Sequence, residues 1–139
     1  MSAPPEVVLH RHWLWANRFR TLFDEELKKG QTDWSKSVFA DSGLIFMCLW
    51  YSFLYVTIEG WRELKLSEPT IDALLASDKV DLLRRLRNAT CHFQEDFVDQ
   101  RFFDFMADED TAEWTRALNK EFGRFFLDWY KRNSPSATS

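Results

Sequence analysis

The sequence predicts an all-α protein, a bundle of four to five helices, and three observations carry that prediction. Apolar residues recur at helical spacing along most of the chain. Short breaks containing Gly, Pro, Ser and Asp separate the long segments. No internal repeat, Gly-rich phosphate loop or dinucleotide-binding fingerprint suggests another architecture. At 139 residues the chain has the length of one domain with one core, running 1–139 with flexible tails at 1–5 and 133–139.

From Glu6 onward, Val8, Trp13, Leu14, Phe19, Leu22, Phe23 and Leu27 mark the apolar face of a first helix that ends near Gly30. Lys28 and Lys29 suit its C-terminal dipole and Gly30 suits the cap. His10, Arg11 and His12 are candidates for a metal or phosphate site, but as residues of the first turns they read as surface. Thr32 or Asp33 can cap the second helix. In Leu44–Ile58 only Ser52 and Thr57 are clearly polar, so that helix is expected at the centre, buried on more than one side. A bilayer span needs about 20 apolar residues. Asp41, Ser42 and Gly43 before the run and Glu59 and Arg62 after it cut it short, so no membrane association is expected.

Ser67 can cap and Pro69 suits the first turn of a short helix through Leu75. Ser77 or Asp78 can cap the next helix, which the short connections return antiparallel to the central one. The acidic, aromatic stretch Glu95–Met106 fits either a continued helix or an ordered loop. The last helix spans roughly Thr111–Arg132, with Trp114, Leu118, Phe122, Phe125, Phe126 and Trp129 as its core stripe. Asp108, Glu109 and Asp110 ahead of it match the positive helix start better than they match a metal.

The segment Val80–Gln94 has two unlike faces. Leu82, Leu83, Leu86, Ala89, Thr90 and Phe93 gather on one side. Arg84, Arg87, Asn88, Cys91 and His92 fill the other, with no Lys or Glu until Glu95. His92 follows Asn88 by four residues, so a helix places both on one ridge with Arg87 beside them. Metal-free cleavage of RNA needs a base, an acid and positive charge on the phosphorane oxygens; here an imidazole can serve as base or acid, a guanidinium supplies the charge, and an amide can orient the imidazole or donate to the phosphate. The imidazole exists in both protonation states near neutrality, and the guanidinium matches phosphate oxygens in a bidentate fork.

Arg87-Asn88-Ala89-Thr90-Cys91-His92 resembles the R-N-x-x-x-H signature of HEPN-domain ribonucleases, and the resemblance extends over roughly residues 6–132. It implies a HEPN-like homodimer in which two motif helices line one cleft, so that each chain's single motif His has a partner. Arg87, His92 and Asn88 then become the catalytic residues, with Arg84 and Arg85 as RNA-phosphate ligands. Glu59 is either the acidic group that some members place near the motif or a solvated helix end. RNA is the implied substrate, no metal or cofactor is called for, and an antitoxin or regulatory protein is an implied partner in a toxin or defence system. Toxins paired with a nucleotidyltransferase antitoxin commonly carry Tyr two places after the His, where this chain has Gln94. A non-catalytic HEPN-like module binding nucleotide or protein is the alternative.

Composition narrows the classes. A net charge of −4 argues against generic coating of nucleic acid, so any RNA site is local. Arg84, Arg85 and Arg87 form such a patch, doubled by a two-fold axis. Aromatics make up 17 % of the chain, more large apolar surface than one small bundle hides, which points to a partner. Cys48 and Cys91 lack metal-ligand spacing and read as inert thiols of a reducing cytosol, with Cys91 a small filler at the interface. The residues after Met1 do not resemble a secretion signal, and a cytoplasmic location is expected.

Overall fold

The computed structural model describes residues 3–29, 42–92, 104, 108 and 110–134, and within them five α-helices and no strand form a bundle. In order these are α1 (Pro5–Lys28), α2 (Ser42–Glu63), α3 (Pro69–Leu75), α4 (Lys79–Cys91) and α5 (Thr111–Asn133). The expected caps Gly30, Thr32 and Asp33 lie outside the described residues, as do Glu109 and all of Glu95–Met106 except Asp104.

Helix α2 is the centre. Met47, Trp50, Leu54, Ile58 and Trp61 are buried along it, against Leu9, Ala16 and Phe23 of α1, Leu83 and Leu86 of α4, and Leu118, Phe122 and Phe126 of α5. Full burial of one such side chain contributes about 1.5–3 kcal/mol, so this cluster dominates stability. Two polar residues are accommodated because each donates one turn back: Ser52 Oγ to the Cys48 carbonyl at 2.7 Å and Thr57 Oγ1 to the Phe53 carbonyl at 3.0 Å. The helix continues past Ile58 to Glu63, so Gly43–Glu63 is long and apolar enough to cross a membrane, and the length argument made from the sequence does not hold. Its use as a core helix rests instead on burial, with 56 % of its most apolar window inside the fold.

The buried face of α1 is rotated from the expected one. Leu9, Ala16 and Phe23 face inward at seven-residue spacing, Trp13 and Phe19 flank them, and Val8, Leu14 and Leu27 stand 40 %, 47 % and 42 % exposed. Fit to α2 selects this face: the missing side chain of Gly60 makes the room that Leu9 Cδ1 fills, since an added Cβ would collide with it, and two turns on Ala16 is fully buried. On α5, Trp129 is half-buried beside Tyr130 instead of joining the core.

Helix ends follow local chemistry. Lys65 adopts φ 55° just past α2, the Leu66 N–H reaches the Trp61 carbonyl at 3.1 Å and the Lys65 N–H reaches Arg62 at 3.1 Å, a Schellman ending. Pro69 opens α3, yet Glu68 and not Ser67 is the cap, its Oε2 accepting the Ile71 N–H at 2.8 Å. Ser67 Oγ instead donates to Asp72 at 2.5 Å. At α4, Ser77 Oγ accepts the Lys79 N–H at 3.2 Å while Asp78 makes no side-chain cap. Trp114 Nε1 donates to the Leu74 carbonyl at 3.0 Å and ties α3 to α5.

A polar network between α1, α2 and α5 was not legible beforehand. Asn119 Oδ1 accepts from Trp50 Nε1 at 3.1 Å, its Nδ2 donates to Asn17 Oδ1 at 3.1 Å, and its carbonyl accepts from Trp13 Nε1 at 3.0 Å. Next to it, Arg20 and Arg116 both grip Asp24, each at 2.7 Å, and the Arg116 guanidinium lies 5.3 Å from the Trp50 ring centre. Burial alone would raise the Asp24 pKa, but hydrogen bonds and charge from Arg116 and Arg20 bring it below the usual carboxylate value.

Candidate functional site

Helices α2 and α4 pack antiparallel, as the short connections required: Arg62 near the end of α2 reaches the Leu75 carbonyl ahead of α4, and Glu59 meets Arg87 farther along. Val80, Leu83, Leu86 and Ala89 are buried and fix which face of α4 turns to the core. Arg87 then comes down on α2. Its Nη1 donates to Glu59 Oε1 at 2.8 Å, its Nε donates to Asn88 Oδ1 at 2.9 Å, and its guanidinium carbon sits 4.8 Å from the Tyr55 ring centre. Glu59 is thus a direct partner of the motif, although it remains exposed. Tyr55, absent from the sequence expectations, forms the floor under Arg87 and is itself buried.

The arginine face is less bare than its spacing suggested. Arg84 donates from Nε and Nη2 to Asp81 Oδ1 at 3.1 and 2.6 Å, and Arg85 Nη2 reaches Asp104 Oδ2 at 3.0 Å. With Glu59 on Arg87, all three guanidiniums have a carboxylate, supplied from one turn earlier, from α2 and from Asp104. The pairs are partly exposed, so each contributes little to stability, about 0–1 kcal/mol, and an anionic ligand can compete for the same cations.

His92 stands directly above Asn88, at the very end of the helix. The helix ends at Cys91, and His92 is the C-cap with φ −113° and ψ 141°, its N–H still bonded to the Asn88 carbonyl at 3.1 Å. The chain leaves the helix in extended geometry at this cap, and His92 is exposed. Asn88 holds Arg87 through its side chain and His92 through its backbone. Cys91 is exposed in the single chain.

No other arrangement competes as a metal centre: among the described residues no three His, Cys, Asp or Glu side chains group to hold an ion. His10 is sandwiched by aromatic rings, 5.7 Å from Trp13 and 4.8 Å from Phe126, with Tyr130 Oη 3.3 Å from Nδ1. Asp108 is used in structure, accepting the Asp110 N–H at 3.0 Å and pairing with Lys79 at 3.7 Å. A cleft of about 400 Å³ between Ser67–Glu68 and the second half of α5, and a shallower one beside Arg62, include no residue of the arginine face. Comparison of the chain with protein-family models, with curated proteins and with solved structures returns no match.

Proposed function

We propose that this chain is a HEPN-like, metal-independent endoribonuclease whose working site is completed by a second copy of itself. The observation that supports the reading is Arg87, fixed over Tyr55 by Asn88 and Glu59, with the exposed His92 at the adjoining helix end. Arg87 stabilises the charge that develops on the phosphorane oxygens, and Arg84 and Arg85 bind neighbouring phosphates. His92 acts as acid or base, and the partner's copy supplies the other role. The 2′-hydroxyl attacks phosphorus and the 5′-oxygen leaves, giving a 2′,3′-cyclic phosphate and a 5′-hydroxyl. Asn88 is assigned to positioning Arg87. A toxin or defence role in the cytoplasm, with an antitoxin or regulatory protein as partner, follows from the motif resemblance alone.

The test is incubation of wild type and an Arg87→Ala/His92→Ala double variant with structured RNA in EDTA, reading the product termini. Cyclic phosphates from wild type alone are expected, with His92→Ala slower by about 10²- to 10⁴-fold. Equal cleavage by both proteins would overturn the assignment. The ion pairing of Arg84, Arg85 and Arg87 favours a second reading, a HEPN-like module that binds nucleotide, phosphate or protein without cutting. Binding of RNA whose ends stay unchanged selects it.

A further inference from the structure

Helices α1 and α5 pack antiparallel, and printed contacts along their whole seam fix the register. His10 packs on Phe126 and Tyr130, Trp13 Nε1 donates to the Asn119 carbonyl at 3.0 Å, and the Trp13 ring fills the space that a Cβ at Gly123 would take. Farther along, Asn119 Nδ2 donates to Asn17 Oδ1 at 3.1 Å and Arg116 meets Asp24 at 2.7 Å. Each step along α1 is thus matched by a step back along α5. The core takes Leu9, Ala16 and Phe23 from one helix and Leu118, Phe122 and Phe126 from the other, so the next residue round from the seam on each, Leu14 after Trp13 and Lys120 after Asn119, turns outward.

These outward residues line a valley with two unlike halves. Toward the start of α1 stand Tyr130 and Leu127, then Leu14 at the level of Gly123, and the three are 37 %, 56 % and 47 % exposed. At the level of the Asn17–Asn119 bond the lining becomes Arg18 on one helix and Lys120 on the other, both exposed, with Arg116 beyond them. In a chain of net charge −4 this stretch is positive. No Asp or Glu occurs from Val7 to Phe23, Asp24 is held by Arg20 and Arg116, and Glu121 and Asp128 of α5 line the cleft beside Ser67 instead. Glu6, Glu25 and Glu113 come only at the valley's ends. Arg18 and Lys120 make no ion pair among the described residues.

We propose that this valley docks an amphipathic helix of a partner protein, its apolar stripe on Leu14, Leu127 and Tyr130 and its carboxylates on Arg18 and Lys120. Two antiparallel helices offer a third a groove in which the axes lie about 8–10 Å apart. Cations left without counter-charge select an acidic occupant. The aliphatic centre suits an apolar stripe, whereas Leu14 and Leu127 give nucleic-acid bases no ring to stack on. A second copy of this chain is the wrong occupant, because its own valley would set cations against cations or bury them against leucines. The valley includes no residue of the arginine face of α4, so this docking role stands apart from the ribonuclease reading.

The test uses the full-length protein and two fluorescein-labelled helical peptides of about 20 residues. Both carry Leu along one face in the first half; the second half of that face carries Glu in one peptide and Lys in the other. By anisotropy, wild type is expected to bind the Glu peptide with a Kd on the order of 10 µM and the Lys peptide about ten-fold more weakly or worse, the gap narrowing with salt. Arg18→Glu/Lys120→Glu should invert that preference, a gain that a misfolded variant cannot produce. Leu14→Ser/Leu127→Ser should weaken the Glu peptide by about ten-fold. No binding, equal binding of the two peptides by wild type, or a preference unchanged by the charge reversal overturns the proposal. Single-stranded RNA is the third probe: RNA binding that depends on Arg18 and Lys120, with neither peptide bound, overturns it in favour of a nucleic-acid surface.

Discussion

Arg87 has its Nε on Asn88, its Nη1 on Glu59 and its face on Tyr55, and these partners do different things to an incoming phosphate. Tyr55 and Asn88 orient the fork, whereas Glu59 competes for it. Glu59→Gln keeps the shape and removes the competing charge, so single-stranded RNA should bind about two- to five-fold tighter, equivalent to ~0.4–1 kcal/mol. Fluorescence anisotropy measures this, and weaker binding would make Glu59 an orienting group. Asn119 is the opposite case, a polar residue whose value is structural. Asn119→Ala leaves Trp50 Nε1 without its partner inside the fold, whereas Asn17 Oδ1 keeps Arg20 Nε at 2.8 Å and the Trp13 bond survives because it uses the backbone, so the change should cost about 1–3 kcal/mol by denaturant unfolding. A loss below about 0.5 kcal/mol would mean that water replaces Asn119 without penalty. The arginines and Asn88 of the site were legible because helical spacing alone places them on one face. The end of the helix at Cys91 was not legible, because the string Arg87–His92 holds no Gly or Pro to announce it. Tyr55 and Asp104 come from distant sequence, and only packing could name them.

At the scale of elements, the bundle was readable wherever a large apolar stripe met a stop signal. Helices α2, α3, α4 and α5 fall close to their expected spans, and the antiparallel return of α4 follows from the short connections. The inward face of α1 was not readable, because hydrophobicity favoured Val8, Leu14 and Leu27 while packing on α2 favoured Leu9, in the space left by Gly60, and the small Ala16. Size, not polarity, decided that face. The end of α2 carries a further element-scale cost: Lys65 holds the left-handed position of a Schellman turn at φ 55°, where an L side chain is disfavoured by about 1–2 kcal/mol. Lys65→Gly removes that strain and adds some chain entropy to the unfolded state, for a net gain of about 0.5–1 kcal/mol. Thermal unfolding would register it as a higher midpoint, and a lower midpoint would show that the Lys65 side chain contributes more than its backbone costs.

For the whole molecule, the relevant balance is between a net charge of −4 and a fold that partly buries some ionisable groups against their preference. His10 lies among Trp13, Phe126 and Tyr130, and burial lowers its pKa. His12 meets the edge of Trp15 with its Nδ1 buried and unpartnered; burial lowers its pKa first and the Arg11 charge adds to it. Both imidazoles therefore take a proton less readily in the folded chain than near the ordinary 6.5 of the unfolded one. The unfolded state binds more protons between those two values, so stability from this source is complete above 6.5 and is lost as the pH falls through it toward the folded pKa. Asp24 adds a second loss at lower pH: its pKa is held below 3.8, so its contribution is present above that value and disappears as the carboxyl is protonated. Denaturant midpoints taken from about pH 8 down to about pH 5 should fall, and His10→Gln/His12→Gln should flatten that slope while leaving the drop below about pH 4 in place. A wild-type midpoint that rises on acidification would mean that the imidazoles gain carboxylate partners on folding, and the aromatic enclosure of α1 against α5 would then have to open before they titrate.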